Sequence, residues 1–215
     1  MHAIFVVGNA GSGKTTLCKE LILHFQNTLK RPTSLFNLDP GVHSTPATFS
    51  ITDYTSTNSV MEEHELGPNG GLIRCIHDAL DDILEEVTQV SSDWCFIDVP
   101  GQIELFTNYD YMNTIAEQFV KCGATVAFIF VIAASNVAGN IVPHLITSLT
   151  TKAKMQYPFF NYISQSSSKE ENLLESFEFN SDCPFEKRVI QFVYDSDMDF
   201  CTGPVEKLQL LLEGI

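Results

Sequence analysis

The chain has 215 residues, 44% hydrophobic and 18% charged, enough for a substantial buried core in an ordinary globular fold. Its 27 acidic residues against 12 basic ones give a net charge of -15, which argues against nonspecific binding to DNA, RNA or anionic membranes while allowing a partner with a basic surface. Six scattered cysteines, Cys18, Cys75, Cys95, Cys122, Cys183 and Cys201, lack zinc-like spacing and read as free thiols of a reducing compartment.

Apolar, β-rich runs are expected to form strands at 3–7, 33–37, 94–98, 124–133, 159–163 and 188–194. Strand structure from residue 3 leaves no room for a leader peptide, and the longest apolar run, ATVAFIFVIAA, is too short to span a bilayer as a helix. A cytoplasmic protein, with passage to the nucleus allowed, is the resulting expectation. Leu17, Leu21, Phe25 and Leu29 recur at helical spacing after the first run. Ile73, Ile76, Leu80, Ile83, Leu84 and Val87 form one helix face, with Asp78, Asp81, Asp82 and Glu85 opposite. Further helices are expected over 137–155 and 169–178 and in the tail, where Val205, Leu208, Leu211 and Leu212 share a face. Strand–helix alternation predicts one α/β domain over 1–215, with a mostly parallel sheet covered by helices on both faces. Ligands of such sheets bind beyond the carboxyl ends of the strands, so the loops there are the places for chemistry.

The first such loop is GNAGSGKTT, comprising Gly8, Asn9, Ala10, Gly11, Ser12, Gly13, Lys14, Thr15 and Thr16. It follows an apolar strand and opens an amphipathic helix, the setting that the phosphate-loop pattern requires. Its glycines let backbone N–H groups converge on a phosphate at the positive end of the helix. Lys14 would reach the β- and γ-phosphates, and the Thr15 hydroxyl would bind Mg²⁺. The second loop, in FIDVPGQIE, places Asp98 at a strand end, where a carboxylate holds the same metal through water. Gly101 brings its N–H near a γ-phosphate, and Gln102 and Glu104 follow where attacking water must be oriented. The third candidate is Asp39 in FNLDPG, either an Asx turn or a carboxylate that positions water.

Between two acidic blocks lies ELGPNGG, 65–71, with the turn chemistry of Pro and Gly. Taken with GNAGSGKTT, NLDP and DVPGQIELFT, in that order, it makes the chain resemble the GPN-loop GTPases, a family in the dimeric class of P-loop proteins that also holds the signal-recognition GTPases. The resemblance is strong over roughly 1–110 and weak beyond. It implies GTP/GDP and Mg²⁺ as ligands, and a GPN-loop insertion around 58–72 whose Gly67, Pro68 and Asn69 reach into the partner subunit's active site. There Asn69 would contact the γ-phosphate region, Asp39 would help activate water, and Gln102 and Glu104 would orient it. It also implies a homodimer, or a heterodimer with a GPN-loop paralogue, serving assembly and nuclear import of RNA polymerase II through its subunits or assembly factors. Direct nucleic-acid or membrane binding is not implied. The motifs resemble a small eukaryotic paralogue.

The family's base-reading segment, N-x-x-[ST]-K-x-D, aligns with FNYISQSSSK. Asn161 and Ser164 match it, making Asn161 a candidate nucleotide contact, but Gln165 replaces the Lys and Ser167 the Asp. A serine lacks the paired acceptors of a carboxylate, and losing a charged hydrogen bond costs about 1.5–3 kcal/mol. Two other functions compete. A passive nucleotide-binding half of a heterodimer would suit the altered base-reading segment. A P-loop kinase would need an arginine-bearing lid, whereas Arg31, Arg74 and Arg188 all lie outside these loops.

Overall fold

The computed structural model describes residues 1–41, 47–135, 141–164, 183–196 and 198–215. A seven-stranded sheet runs in the order β3-β2-β4-β1-β5-β6-β7, and every pairing in it is parallel. In chain order, β1 (His2–Val7) leads to α1 (Lys14–Asn27), then β2 (Thr33–Asn37) and the short β3 (Phe49–Ser50). Next come α2 (Thr57–His64), α3 (Pro68–Asp78), α4 (Leu80–Thr88) and β4 (Trp94–Asp98). After β4 follow α5 (Glu104–Thr107), α6 (Tyr111–Lys121), β5 (Thr125–Ala133), α7 (Val142–Lys154) and β6 (Phe159–Ser164). The order closes with α8 (Pro184–Asp195), β7 (Asp199–Thr202) and α9 (Val205–Leu212).

Central β1 is buried on both faces, so its side chains alternate between two cores. Ile4 and Val6 meet Leu17, Leu21 and Phe25 of α1 and Leu208 and Leu212 of α9. Ala3, Phe5 and Val7 belong to the other core, with Ile83 of α4, Phe119 of α6, Leu145 of α7 and Ile190 of α8. Helices therefore cover both faces, as the strand–helix alternation predicts.

Two expectations need correction. Residues 188–194 are helical, within α8: Ile190 and Val193, three apart, are buried while Phe192 is exposed, a helix face rather than a strand alternation. The last strand is instead the more polar β7, paired among the described residues only to β6. The apolar stripe over 73–87 is two helices, broken at Ala79 (φ -91°, ψ 5°). Helix α3 begins at Pro68, with Gly67 as its N-cap and Pro68 in the first turn, where its missing N–H costs nothing. The expected helix over 169–178, with Gln165 and Ser167, lies outside the described residues.

Before α3, α2 ends at Glu65 in the left-handed conformation (φ 52°), and the two helices pack as a hairpin. A Cβ on Gly71 would stand 2.6 Å from Met61 Cγ. The last glycine of GPNGG therefore serves helix–helix approach.

Candidate functional site

Three loops at the carboxyl ends of β1, β2 and β4 meet beside the start of α1. The β1 loop folds as it does because three of its positions require positive φ: Gly8 (141°), Gly11 (73°) and Gly13 (95°). Gly8 also lies so close to β5 that a Cβ would stand 2.6 Å from the Val131 carbonyl. Gly13 caps α1 and Lys14 is its first residue, so the free N–H groups of the first turn face the loop.

Lys14 is only 7% exposed. Its Nζ donates to the Asn9 carbonyl at 3.1 Å. Burial lowers its pKa, opposed by the charges of Asp98 and Asp39. The Thr15 hydroxyl donates to Asp98 Oδ2 at 2.5 Å. Asp98 is 2% exposed and its Oδ1 has no hydrogen-bond partner among the described residues. Burial pushes its pKa up to about 6, opposed by the Thr15 hydroxyl and Lys14. A buried carboxylate oxygen without a partner, beside a hydroxyl, is a donor set that fits a hard cation. No cluster of three or more His, Cys, Asp or Glu capable of holding a metal exists among the described residues, so any cation here would need phosphate and water ligands besides.

Gly101 is pressed against the phosphate loop: a Cβ there would stand 2.5 Å from the Ala10 nitrogen. Gln102 follows with its Oε1 buried and without a partner among the described residues, and Glu104 opens α5. The β2 loop is tied in by a bond from the Leu38 N–H to the Asp98 carbonyl at 2.9 Å. Asp39 forms the Asx turn allowed by its sequence, with the Gly41 N–H donating to Oδ1 at 2.9 Å. Its charge nonetheless acts on both Lys14 and Asp98, so the turn and the electrostatic role coexist.

Two expected contacts are not assembled within this chain. Gly67, Pro68 and Asn69 are exposed at the start of α3, and no hydrogen bond or ion pair among the described residues joins their side chains to the phosphate loop. Asn161 requires correction as a nucleotide contact. It sits in the middle of β6, opposite Phe130 and Phe200, and is fully buried. The Ser148 hydroxyl donates to its Oδ1 at 2.5 Å, and its Nδ2 donates to the Asp199 carbonyl at 3.4 Å. Its amide is committed to joining β6, α7 and β7. Ser164, at the end of that strand, does reach the site, with its hydroxyl donating to the Ser12 carbonyl at 3.1 Å. Sequence reasoning missed His144, whose Nδ1 lies 2.8 Å from Asn9 Nδ2; a lone His after a Pro carries no pattern that would single it out.

The described residues include no helix long and apolar enough to cross a membrane. A family model described as "Conserved hypothetical ATP binding protein" matches residues 6–213. GPN-loop GTPase 3 of Mycosarcoma maydis is 44% identical over 119 residues, covering 53% of this chain and 42% of that protein. A GPN-loop GTPase 2 homolog of Dictyostelium discoideum is 30% identical over 174 residues, covering 78% of this chain and 55% of that one. The chain thus spans about half the length of these curated relatives. Among solved structures, a GTPase in apo form from Pyrococcus abyssi superposes with a TM-score of 0.71 over 99% of this chain and 96% of that one. At 17% identity that likeness shows the shared P-loop GTPase fold alone.

Proposed function

Because the chain belongs to the GPN-loop GTPase family, we propose that it binds and hydrolyses a nucleoside triphosphate, GTP by preference, with Mg²⁺, as a dimer. One observation carries the reading: buried Lys14 and the Thr15–Asp98 pair, with a free carboxylate oxygen, stand together at the first turn of α1. The glycine-bent loop and the α1 N-terminus would hold the phosphates by backbone N–H groups. Lys14 would exchange its bond to the Asn9 carbonyl for phosphate oxygens. Thr15 and Asp98 would hold Mg²⁺, which when bound neutralises phosphate charge. Gln102 and Glu104, on the segment that Gly101 docks against the phosphate loop, orient water toward the γ-phosphate, and Asp39 polarises it. Exposed Asn69 would complete the site of a second subunit, donating from its neutral amide.

The family description names ATP and the relatives GTP. We favour GTP from the relatives' names and from the motifs common to this chain and the GPN-loop GTPases. On the same resemblance we assign the dimer to assembly or nuclear import of RNA polymerase II, with polymerase subunits or assembly factors as partners.

The test is titration with nonhydrolysable GTP and ATP analogues, with and without Mg²⁺, reading affinity and mass together, followed by turnover. Mg²⁺-dependent binding that favours GTP, doubles the mass and is followed by hydrolysis is the expected result. Equal affinity for both analogues would refute the base preference. Binding without turnover, restored by no paralogue, would replace the enzyme with a passive nucleotide-binding subunit. Asn69→Ala separates the roles, because turnover should fall while analogue binding persists.

A further inference from the structure

Asn9 is the point where the phosphate loop is fixed from three sides. Its carbonyl accepts from the Ser12 N–H at 3.2 Å and from Lys14 Nζ at 3.1 Å. Its peptide with Ala10 is the surface against which Gly101 is pressed. Its side chain reaches out of the loop to the first turn of α7, where Nδ2 lies 2.8 Å from His144 Nδ1. An amide nitrogen only donates, so the ring nitrogen facing it must be an acceptor, which places the ring's proton on Nε2. We propose that His144 is a positioning residue of the nucleotide site, its neutral ring accepting from Asn9 and thereby setting the orientation of the peptide that holds Lys14 and abuts Gly101. This inference deepens the nucleotide-hydrolase reading above and rests on it.

The chemistry gives the contact a direction with pH. A proton added at Nδ1 turns the acceptor into a donor and leaves it facing another donor. Burial lowers the His144 pKa below its ordinary 6.5, so the accepting form prevails at neutral pH. The helices packed against α7 are α5 and α8. They bring Glu104, and Glu186, Lys187, Arg188 and Asp195, while the loop brings Lys14. Burial, rather than any of these charges, is the cause of the shift.

The experiment is calorimetric titration of the full chain with GDP and Mg²⁺ at pH 7.5 and at successively lower pH, using wild type, His144→Ala and His144→Gln, each checked by circular dichroism. Loss of one hydrogen bond predicts that His144→Ala weakens binding roughly two- to tenfold at pH 7.5. His144→Gln offers a carbonyl acceptor and does not titrate, so it should bind like wild type at pH 7.5 and lose less affinity than wild type once the pH falls through the His144 titration, which the imidazole ¹⁵N shifts locate. Titration of the GDP phosphate and of Asp98 is common to both proteins and cancels in that comparison. In wild type the imidazole ¹⁵N spectrum should show the Nε2–H tautomer, a readout that does not depend on a variant folding. Wild-type affinity in His144→Ala, equal affinities of wild type and His144→Gln at a pH where the imidazole ¹⁵N shifts show the ring protonated, or an Nδ1–H tautomer would each overturn the proposal. Failure of wild type itself to bind nucleotide would instead overturn the parent reading, and this one with it.

Discussion

Asp98 is a carboxylate that folding places at a disadvantage, and removing its charge should reveal by how much. Its folded pKa is about 6 against an ordinary 3.8. Between those values the native state binds more protons than the unfolded chain, so stability must fall as pH rises through that interval. At 1.36 kcal/mol per pKa unit the loss above pH 6 is about 3 kcal/mol. With Asp98 only 2% exposed, little of this is screened by solvent. Asp98→Asn cannot ionise. Replacing the unpartnered Oδ1 by a buried amide NH₂ has its own cost of about 1–3 kcal/mol, but that cost does not vary with pH. The difference in stability between variant and wild type should therefore move in the variant's favour by about 2.4 kcal/mol between pH 4 and pH 7, where the unfolded carboxyl is already partly ionised at the lower end, a relative gain of roughly 5–10 °C in Tm for a chain of this size. The assay is thermal unfolding of both proteins across that range in EDTA without nucleotide. Adding GTP analogue and Mg²⁺ at pH 7 should then raise the Tm of wild type more than that of the variant, because Asp98 is the carboxylate assigned to the metal. A Tm difference independent of pH would refute the reasoning, since it would mean that the folded protein meets the charge of Asp98 without penalty.

Gly101→Ala should lower stability by about 1–3 kcal/mol through overpacking against the Asn9–Ala10 backbone, measured by urea unfolding, and should weaken nucleotide binding in the same preparation. Lys14→Ala should abolish binding of GTP analogue in calorimetry while leaving the circular dichroism spectrum unchanged. Asn69→Ala, at an exposed position, should shift stability by no more than about 0.5 kcal/mol, so any loss of turnover in that variant reads on chemistry. Asn161→Ala should instead destabilise by about 1–3 kcal/mol by stranding the Ser148 hydroxyl and the Asp199 carbonyl, without changing the ratio of GTP to ATP affinity.

The phosphate loop was legible because its pattern is local: the glycines, Lys14 and Thr15 specify a strand, a turn and a helix within a dozen residues. Asp98, Gly101 and Gln102 were legible because Asp98 ends, and the other two follow, a strand that is otherwise apolar. The misreadings arose where local composition and tertiary placement disagree. RVIQFVY at 188–194 is β-rich, yet Pro184 starts a helix that buries Ile190 and Val193. The actual strand, DFCT, at the edge of the sheet among the described residues, has too few apolar residues to announce itself. Asn161 matched a nucleotide-reading pattern by spacing, but the pleat of β6 turns it into the protein. His144 belongs to a contact between residues 135 positions apart, which no local pattern encodes.

The parallel sheet also has a consequence for biosynthesis. In the register of β1 with its neighbours, His2 pairs with Trp94 and with Thr125, so the strand that carries the phosphate loop is made 92 and 123 residues ahead of the strands that flank it. At a ribosomal pace of about 5–20 residues per second it waits roughly 5–25 s for them. Throughout that interval Ile4, Phe5 and Val6, all buried in the finished sheet, have no strand partner, and closing such long loops is itself slow. The nascent chain is therefore most prone to aggregation before β4 and β5 have left the ribosome, and most in need of a chaperone then.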